Sequence, residues 1–308
     1  MRARPDRGAA VTVAGPVVRG AEAAVLPRQR TAALRRRRRA SGGWRTGVQA
    51  VLIAAWCLLP VYWLVAASFR PFGEVFATTP FPADATWDNY RTAFRPLALL
   101  GPALLHSLGL SAGVTGVVLL LSVTGGYAIT RFRFRGAGVL RGALLAGTLM
   151  PAVTIVTPLF AVMHDIGWSN TFQAIFVPDV ALALPLAVFV LSTALQELPW
   201  ELEDAALTDG CSRAQAFVRV MLPIMAPAIV TVALLTFIAT WNEYLVALLL
   251  STPDTVLVTV VVANFATQIT GTAATMAAGV VAMLPPLLLT VAFQRRITAG
   301  LTAGGVKG

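Results

Sequence analysis

The densest group of acidic side chains in this sequence is Glu197, Glu201, Glu203, Asp204 and Asp209, all inside the segment from Gln196 to Pro223. Carboxylates gathered in this way can bind a metal, act as general acids and bases, or pair with basic groups on another protein. The partners that the first two kinds of chemistry need are missing. His106 and His164 are the only histidines, and neither stands at metal-ligand spacing from Cys or carboxylate residues. The polar loops hold no nucleophile paired with a base. A phosphate-binding loop needs a lysine after its Gly-rich turn, whereas the one lysine, Lys307, lies at the C-terminal end. The sequence therefore predicts no catalytic residue, no metal ligand and no cofactor held by this chain. Recognition of a partner surface remains as the use of the acids.

Local signals shape the acidic segment into two helices. Pro199 suits a first helical position, and Glu201, Glu203 and Asp204 follow in or near the first turn, where the helix dipole favours negative charge. Gly210 can end this helix in a left-handed conformation. Ser212 and Gln215 have the spacing of a capping box that starts a second helix, in which Ala214, Phe217, Val218 and Met221 recur as one apolar face. Leu222-Pro223 then breaks it. The expected product is a hairpin with a sharp Gly turn. Such a hairpin could lie on lipid, but its acids would meet a negatively charged inner leaflet, so a protein surface is the favoured neighbour.

The elements that hold this hairpin must be membrane spans. A composition of 57% hydrophobic and 12% charged residues over 308 positions, with a mean hydropathy of +0.74, marks an integral membrane protein, and its helix-length apolar spans make it all-α. A crossing needs about 20 apolar residues. Six stretches qualify: Val48 to Phe69, Ala103 to Ile129, Val139 to Met163, Phe172 to Leu195, Pro227 to Leu249 and Ala273 to Phe293. The run from Val256 to Phe265 is too short to cross and reads as a re-entrant or packed loop. With both termini, the second-to-third loop and the fourth-to-fifth loop in the cytoplasm, only Arg70, Arg91 and Arg95 of the basic residues stay outside. The expected organisation is a disordered arginine-rich cytoplasmic arm (1–46), a first transmembrane helix (47–69), an extracytoplasmic loop (70–102), a core with five spans and the acidic loop 196–223 (103–295), and a Gly-rich cytoplasmic tail (296–308).

The net charge of +10 comes largely from twelve arginines between Arg2 and Arg45. No aromatic residues interleave Arg35 to Arg39 to stack bases, which argues against nucleic acid; the arm is expected either to meet anionic membrane lipid or, equally, to stay solvated and merely fix orientation. The apolar run that follows is about twice as long as a signal-peptide core, which argues for an uncleaved span. Cys57 and Cys211 fall in a span and a loop, with no disulfide framework in view.

The acidic loop also carries a family resemblance. Asp204-Ala205-Ala206, Gly210, Val220, Leu222 and Pro223 match the spacing of the EAA motif of ABC importer permeases, the helical loop that seats in a cleft of the ATPase subunit. Asp204 stands where the family usually has Glu, which keeps the charge and shortens its reach. Trp87-Asp88-Asn89-Tyr90, His106-Ser107-Leu108 and Tyr127-Ala128-Ile129-Thr130-Arg131-Phe132 resemble further family patterns. Trp241-Asn242-Glu243-Tyr244 resembles a recurrent feature of the fifth span and the ending from Gly300 to Gly308 resembles the tail of the maltose-transporter type of sugar permease, which together narrow the resemblance to carbohydrate importers.

This resemblance implies a type I ABC importer permease fold: six transmembrane helices and a cytoplasmic coupling helix in a bacterial inner membrane. The implied partners are a second permease subunit in a heterodimer, an ATPase dimer that carries ATP and Mg, and an extracytoplasmic solute-binding protein. Glu201, Glu203, Asp204, Ala205, Ala206, Asp209, Gly210, Ser212, Phe217, Leu222 and Pro223 would then couple the chain to its ATPase. An importer of oligopeptides or amino acids is an alternative. An ion-driven secondary transporter would leave the acidic hairpin without a purpose, and the two halves show no clear repeat.

Ionisable groups within spans are costly and usually face a bundle interior or a water-filled cavity. Asp179 and Glu243 are therefore candidates to line a substrate path, with Asn242 beside them and with Trp241 and Tyr244 offering aromatic faces to sugar CH groups. The same side chains could equally tie helices or subunits together.

Overall fold

The computed structural model describes residues 28–132, 135–265 and 271–303. Most of the arginine-rich arm, Arg133-Phe134 of the basic turn, the end of the expected re-entrant loop and the last part of the tail lie outside them. The chain divides into two units, residues 1–59 and 60–308. Helix α1 (Arg28–Ser68) belongs to the first as far as Leu59. Its start at Arg28 differs from the disordered arm expected up to residue 46. Ala, Leu, Arg and Gln, all good helix formers, dominate the stretch from Arg28 to Ala40.

The second unit continues with α2 (Asp88–Ala93), α3 (Leu100–Arg131), α4 (Ala137–Thr148), α5 (Ala152–Asp165) and α6 (Gln173–Gln196). After these come α7 (Glu201–Thr208), α8 (Arg213–Ile224), α9 (Ala226–Trp241), α10 (Leu245–Leu250), α11 (Val258–Phe265) and α12 (Gly271–Ala303). Helix α12 thus continues to Ala303 and takes in the first part of the expected tail.

The core lies where α3, α6 and α9 meet. Leu110, Val114 and Val118 from α3, Ile175 and Leu191 from α6, and Val232 and Phe237 from α9 are buried there. Gly126 lets α3 approach α6 closely: a Cβ at this position would lie 3.2 Å from the Ser192 backbone nitrogen. Helix α12 packs on α9, and α11 packs against both α3 and α12. Val258, Val260, Val261 and Phe265 of α11 are buried, which makes the short Val-rich run a packed element that does not cross.

Four uninterrupted helices have the length and apolarity of spans: Trp44–Ser68, Leu100–Arg131, Gln173–Gln196 and Gly271–Gln294. The third and fifth expected spans are broken. In the third, α4 and α5 meet at 97°. Pro151, which lacks an N–H and disfavours helical backbone in the residue before it, begins the second piece. In the fifth, α9 stops at Trp241 and α10 starts at Leu245. Glu243 causes the restart, because its Oε1 and Oε2 accept the backbone N–H groups of Val246 and Ala247, each at 3.0 Å.

The two ends of the bundle are built differently. At one end, the Asn89 amide donates to the carbonyls of Ser68 and Arg70, both at 2.8 Å, and so closes the C-terminus of α1. Beside it Trp87 meets Phe69 edge-on and Tyr90 lies tilted against the same ring. Arg70 is buried under Trp63 and donates to the carbonyls of Glu74, Ala77 and Thr79. Ser107 Oγ accepts from Val258 N–H at 2.9 Å, and His106 Nδ1 lies 3.1 Å from the Val256 carbonyl, so the start of α3 holds the start of α11. The other end carries α7 and α8.

Candidate functional site

Helices α7 and α8 form the hairpin that the local signals predict. Gly210 has φ +89°, and the N–H groups of Gly210 and Cys211 donate to the carbonyls of Leu207 and Ala206 at 3.1 and 3.0 Å. This double closure is a Schellman turn, which a left-handed residue at position 210 makes possible. The capping box then starts α8: Ser212 N–H donates to Gln215 Oε1 at 2.8 Å, and Gln215 N–H to Ser212 Oγ at 3.3 Å.

Three details differ from the sequence reading. Pro199 precedes the N-cap residue Trp200 and is not itself the first helical residue. Helix α8 runs through Leu222 and Pro223 and bends by 72° against α9 only at Met225. Its packed face also differs, because residues Phe217 to Met221 form a π-helical turn. The wider turn brings Ala216 and Met221, five residues apart, to the same buried side, while Ala214 and Val218 point outward.

The acids of the hairpin divide into two sets. Glu203 is buried, with its Oε2 3.2 Å from Arg131 Nε and its Oε1 accepting from Tyr127 Oη at 2.7 Å. The Arg131 guanidinium lies over the Trp200 ring at 4.3 Å, and its Nη2 reaches the Leu198 carbonyl at 3.5 Å. Phe217 packs on Tyr127 with ring centroids 4.6 Å apart. These contacts seat the hairpin on the last turn of α3. Glu201, Asp204, Ala205, Asp209, Gly210, Ser212 and Pro223 are exposed, Ala206 is buried and Leu222 is half-buried. Sequence reading placed Glu203 with the docking acids and gave Tyr127, Arg131 and Trp200 no role in the site. A basic residue ending one span and an acid opening the next loop on the same side was the signal that could have paired them.

The five residues expected along a substrate path separate into two places. Asp179 and Glu243 line a cavity of about 210 Å³ between α6 and α9, together with Thr236, Thr240 and apolar side chains such as Leu182. Both carboxylate oxygens of Asp179 are buried and have no hydrogen-bond partner among the described residues. Trp241, Asn242 and Tyr244 instead line a cavity of about 710 Å³ next to α11 and α12. Trp241 is 3% exposed, stacks on Phe237 and donates from Nε1 to the Ala282 carbonyl at 3.1 Å, so it ties α9 to α12. The Asn242 amide is turned back onto the Ile238 carbonyl at 2.8 Å. Among the described residues, no three His, Cys, Asp or Glu side chains are grouped so as to share a metal.

Comparison with known proteins fits this architecture. Residues 119–302 match the family described as binding-protein-dependent transport system inner membrane component. The chain is 40% identical over 261 residues to the trehalose transport system permease protein SugB of Mycobacterium tuberculosis, covering 83% of this chain and 95% of that one. It is 33% identical to the trehalose/maltose transport system permease protein MalG of Thermococcus litoralis, covering 85% and 95% of the two chains. It is 32% identical to the diacetylchitobiose uptake system permease protein DasC of Streptomyces coelicolor, covering 85% and 96%. The fold matches a chain in the crystal structure of a bacterial ABC transporter involved in the import of the acidic polysaccharide alginate, with a TM-score of 0.68 at 19% identity over 84% of this chain and 97% of that one. The chain therefore belongs to the inner-membrane components of binding-protein-dependent transport systems, as a multi-pass, non-catalytic permease subunit of an ABC importer.

Proposed function

We propose that this subunit forms half of the pathway by which a sugar or oligosaccharide, delivered by a solute-binding protein, crosses the bacterial inner membrane. A second, different permease subunit forms the other half. ATP and Mg bind to a separate ATPase dimer, and the exposed acids Asp204 and Asp209 meet that dimer on the cytoplasmic side. The observation that carries this reading is the division of the hairpin into a buried anchor, Glu203, and an exposed acidic edge. A segment built to lie on lipid would not present its carboxylates outward from a rigid seat. Burial of Glu203 also holds the hairpin at a defined angle, so that motion of the ATPase reaches the helices without being absorbed in a flexible loop. The helices then exchange inward-open and outward-open packings.

Both termini lie in the cytoplasm in this reading, because that places nearly all the basic residues on the inner side. The exposed apolar faces of the spans meet lipid and the second permease subunit. The sugar assignment draws support from the relatives, whose names specify trehalose, maltose and diacetylchitobiose. Asp179 is the candidate contact to sugar hydroxyls: it accepts no hydrogen bond from the described residues and faces a cavity with largely apolar walls. The test is reconstitution with the second permease subunit, ATPase and binding protein in liposomes, followed by uptake of labelled trehalose, maltose and diacetylchitobiose. ATP-dependent uptake of one of them is expected. Uptake driven by an ion gradient without the ATPase would contradict the proposal.

A further inference from the structure

Helix α3 is in direct contact with both the hairpin and the segment that holds the break in the fifth span. At one end Tyr127 and Arg131 hold Glu203. The one proline among its 32 residues, Pro102, lies in the first turn, and the helix extends about 48 Å at 1.5 Å per residue, more than the hydrocarbon core requires. At the far end His106 and Ser107 hold the start of α11. From α11, Thr259 Oγ1 donates to the Glu243 carbonyl at 2.6 Å, and the Glu243 side chain starts α10. Polar contacts at each end of α3, joined by the helix itself, therefore connect the coupling hairpin to the gap between α9 and α10, on the wall of both cavities.

The alternative route runs along the chain itself. The hairpin is joined to α6 by Glu197 to Trp200 and to α9 across Met225. The second joint is already bent by 72° and offers a hinge at which motion can be lost. The ion pair cannot slide in the same way, because separating Arg131 from Glu203 would leave two buried charges unpaired.

We infer that α3 acts as a transmission rod: Arg131, Glu203 and Tyr127 join it to the hairpin, and Ser107 and Thr259 pass its displacement through α11 to the break at Glu243. All five are positioning residues. The inference rests on the coupling role proposed for the hairpin.

The test uses the complete reconstituted importer and measures ATP hydrolysed per sugar taken up, with whichever of the three labelled sugars the wild type transports. The near joint is removed as the double variant Arg131→Met with Glu203→Met, which avoids leaving a lone buried charge. The far joint is removed separately as Ser107→Ala and as Thr259→Val. Each change should raise ATP consumed per sugar by about fivefold or more while hydrolysis continues. Near and far changes combined should raise it no further than either alone, because both interrupt one rod. A purely structural role would instead lower the yield of complex and leave the ratio unchanged.

An unchanged ratio in the far-end variants overturns the rod, and so do near and far effects that multiply. Should the double variant fail to assemble, Ser107→Ala and Thr259→Val decide alone. If the wild-type complex itself shows no ATP-dependent uptake, the proposed function fails; if it couples normally and the variants match it, only the rod fails.

Discussion

Glu203 and Asp179 are nearly equally buried, at 6% and 4% exposed, yet the protein treats them in opposite ways. Glu203 sits where the hairpin meets α3, with an arginine on one oxygen and a tyrosine hydroxyl on the other. Asp179 sits in the second turn of α6, facing a cavity, with neither oxygen bonded to a described residue. A buried carboxylate is costly unless it is paired, so the first charge is offset by an ion pair within the chain and the second lacks one among the described residues. The difference separates the two acids: one fastens parts of this chain together, and the other is the contact proposed above for the transported solute.

Stability measurements can break this contrast. Glu203→Ala leaves Arg131 buried without its partner and should cost about 3–5 kcal/mol, read as a large drop in the thermal midpoint of the purified assembly. A fall no larger than that of a surface substitution would remove Glu203 from its anchoring role. Gly210→Val forces a β-branched residue to φ +89° and should cost about 1–3 kcal/mol, with a loss of coupled uptake greater than the loss of protein. Ser212→Ala deletes one side of the capping box and should cost about 1 kcal/mol, with Ser212→Asp close to wild type.

At the other pole of the contrast, Asp179→Leu removes an unpartnered buried carboxylate. Its stability should stay within about 1 kcal/mol of wild type, or rise. The apparent affinity for sugar in the uptake assay should nevertheless fall about tenfold. A strongly destabilised Asp179→Leu protein with unaltered affinity would make Asp179 structural and dissolve the distinction.

The pattern of what the sequence revealed follows the range of the interactions. The Gly turn at 210 and the Ser212–Gln215 capping box were legible because each involves residues within a few positions of one another. The Arg131–Glu203 pair joins residues from separate helices, and no local periodicity connects them. Both broken spans have unbroken hydropathy, since one proline at 151 or one carboxylate at 243 barely alters an apolar average while ending a helix outright. The face of α8 was misread for a related reason. Its apolar spacing fits an ordinary helix, but the π-turn from Phe217 to Met221 changes which residues share a side.

The central claim is that the exposed acidic edge of the hairpin meets the ATPase on the inner side of the membrane. Replacing Cys57 and Cys211 with Ser and introducing Asp209→Cys gives a single thiol at that edge, since these are the only two cysteines in the chain. In the assembled importer this thiol should cross-link to the ATPase subunit, and it should be protected from a membrane-impermeant maleimide added outside intact cells. Labelling from outside, with no ATPase adduct, would contradict the account.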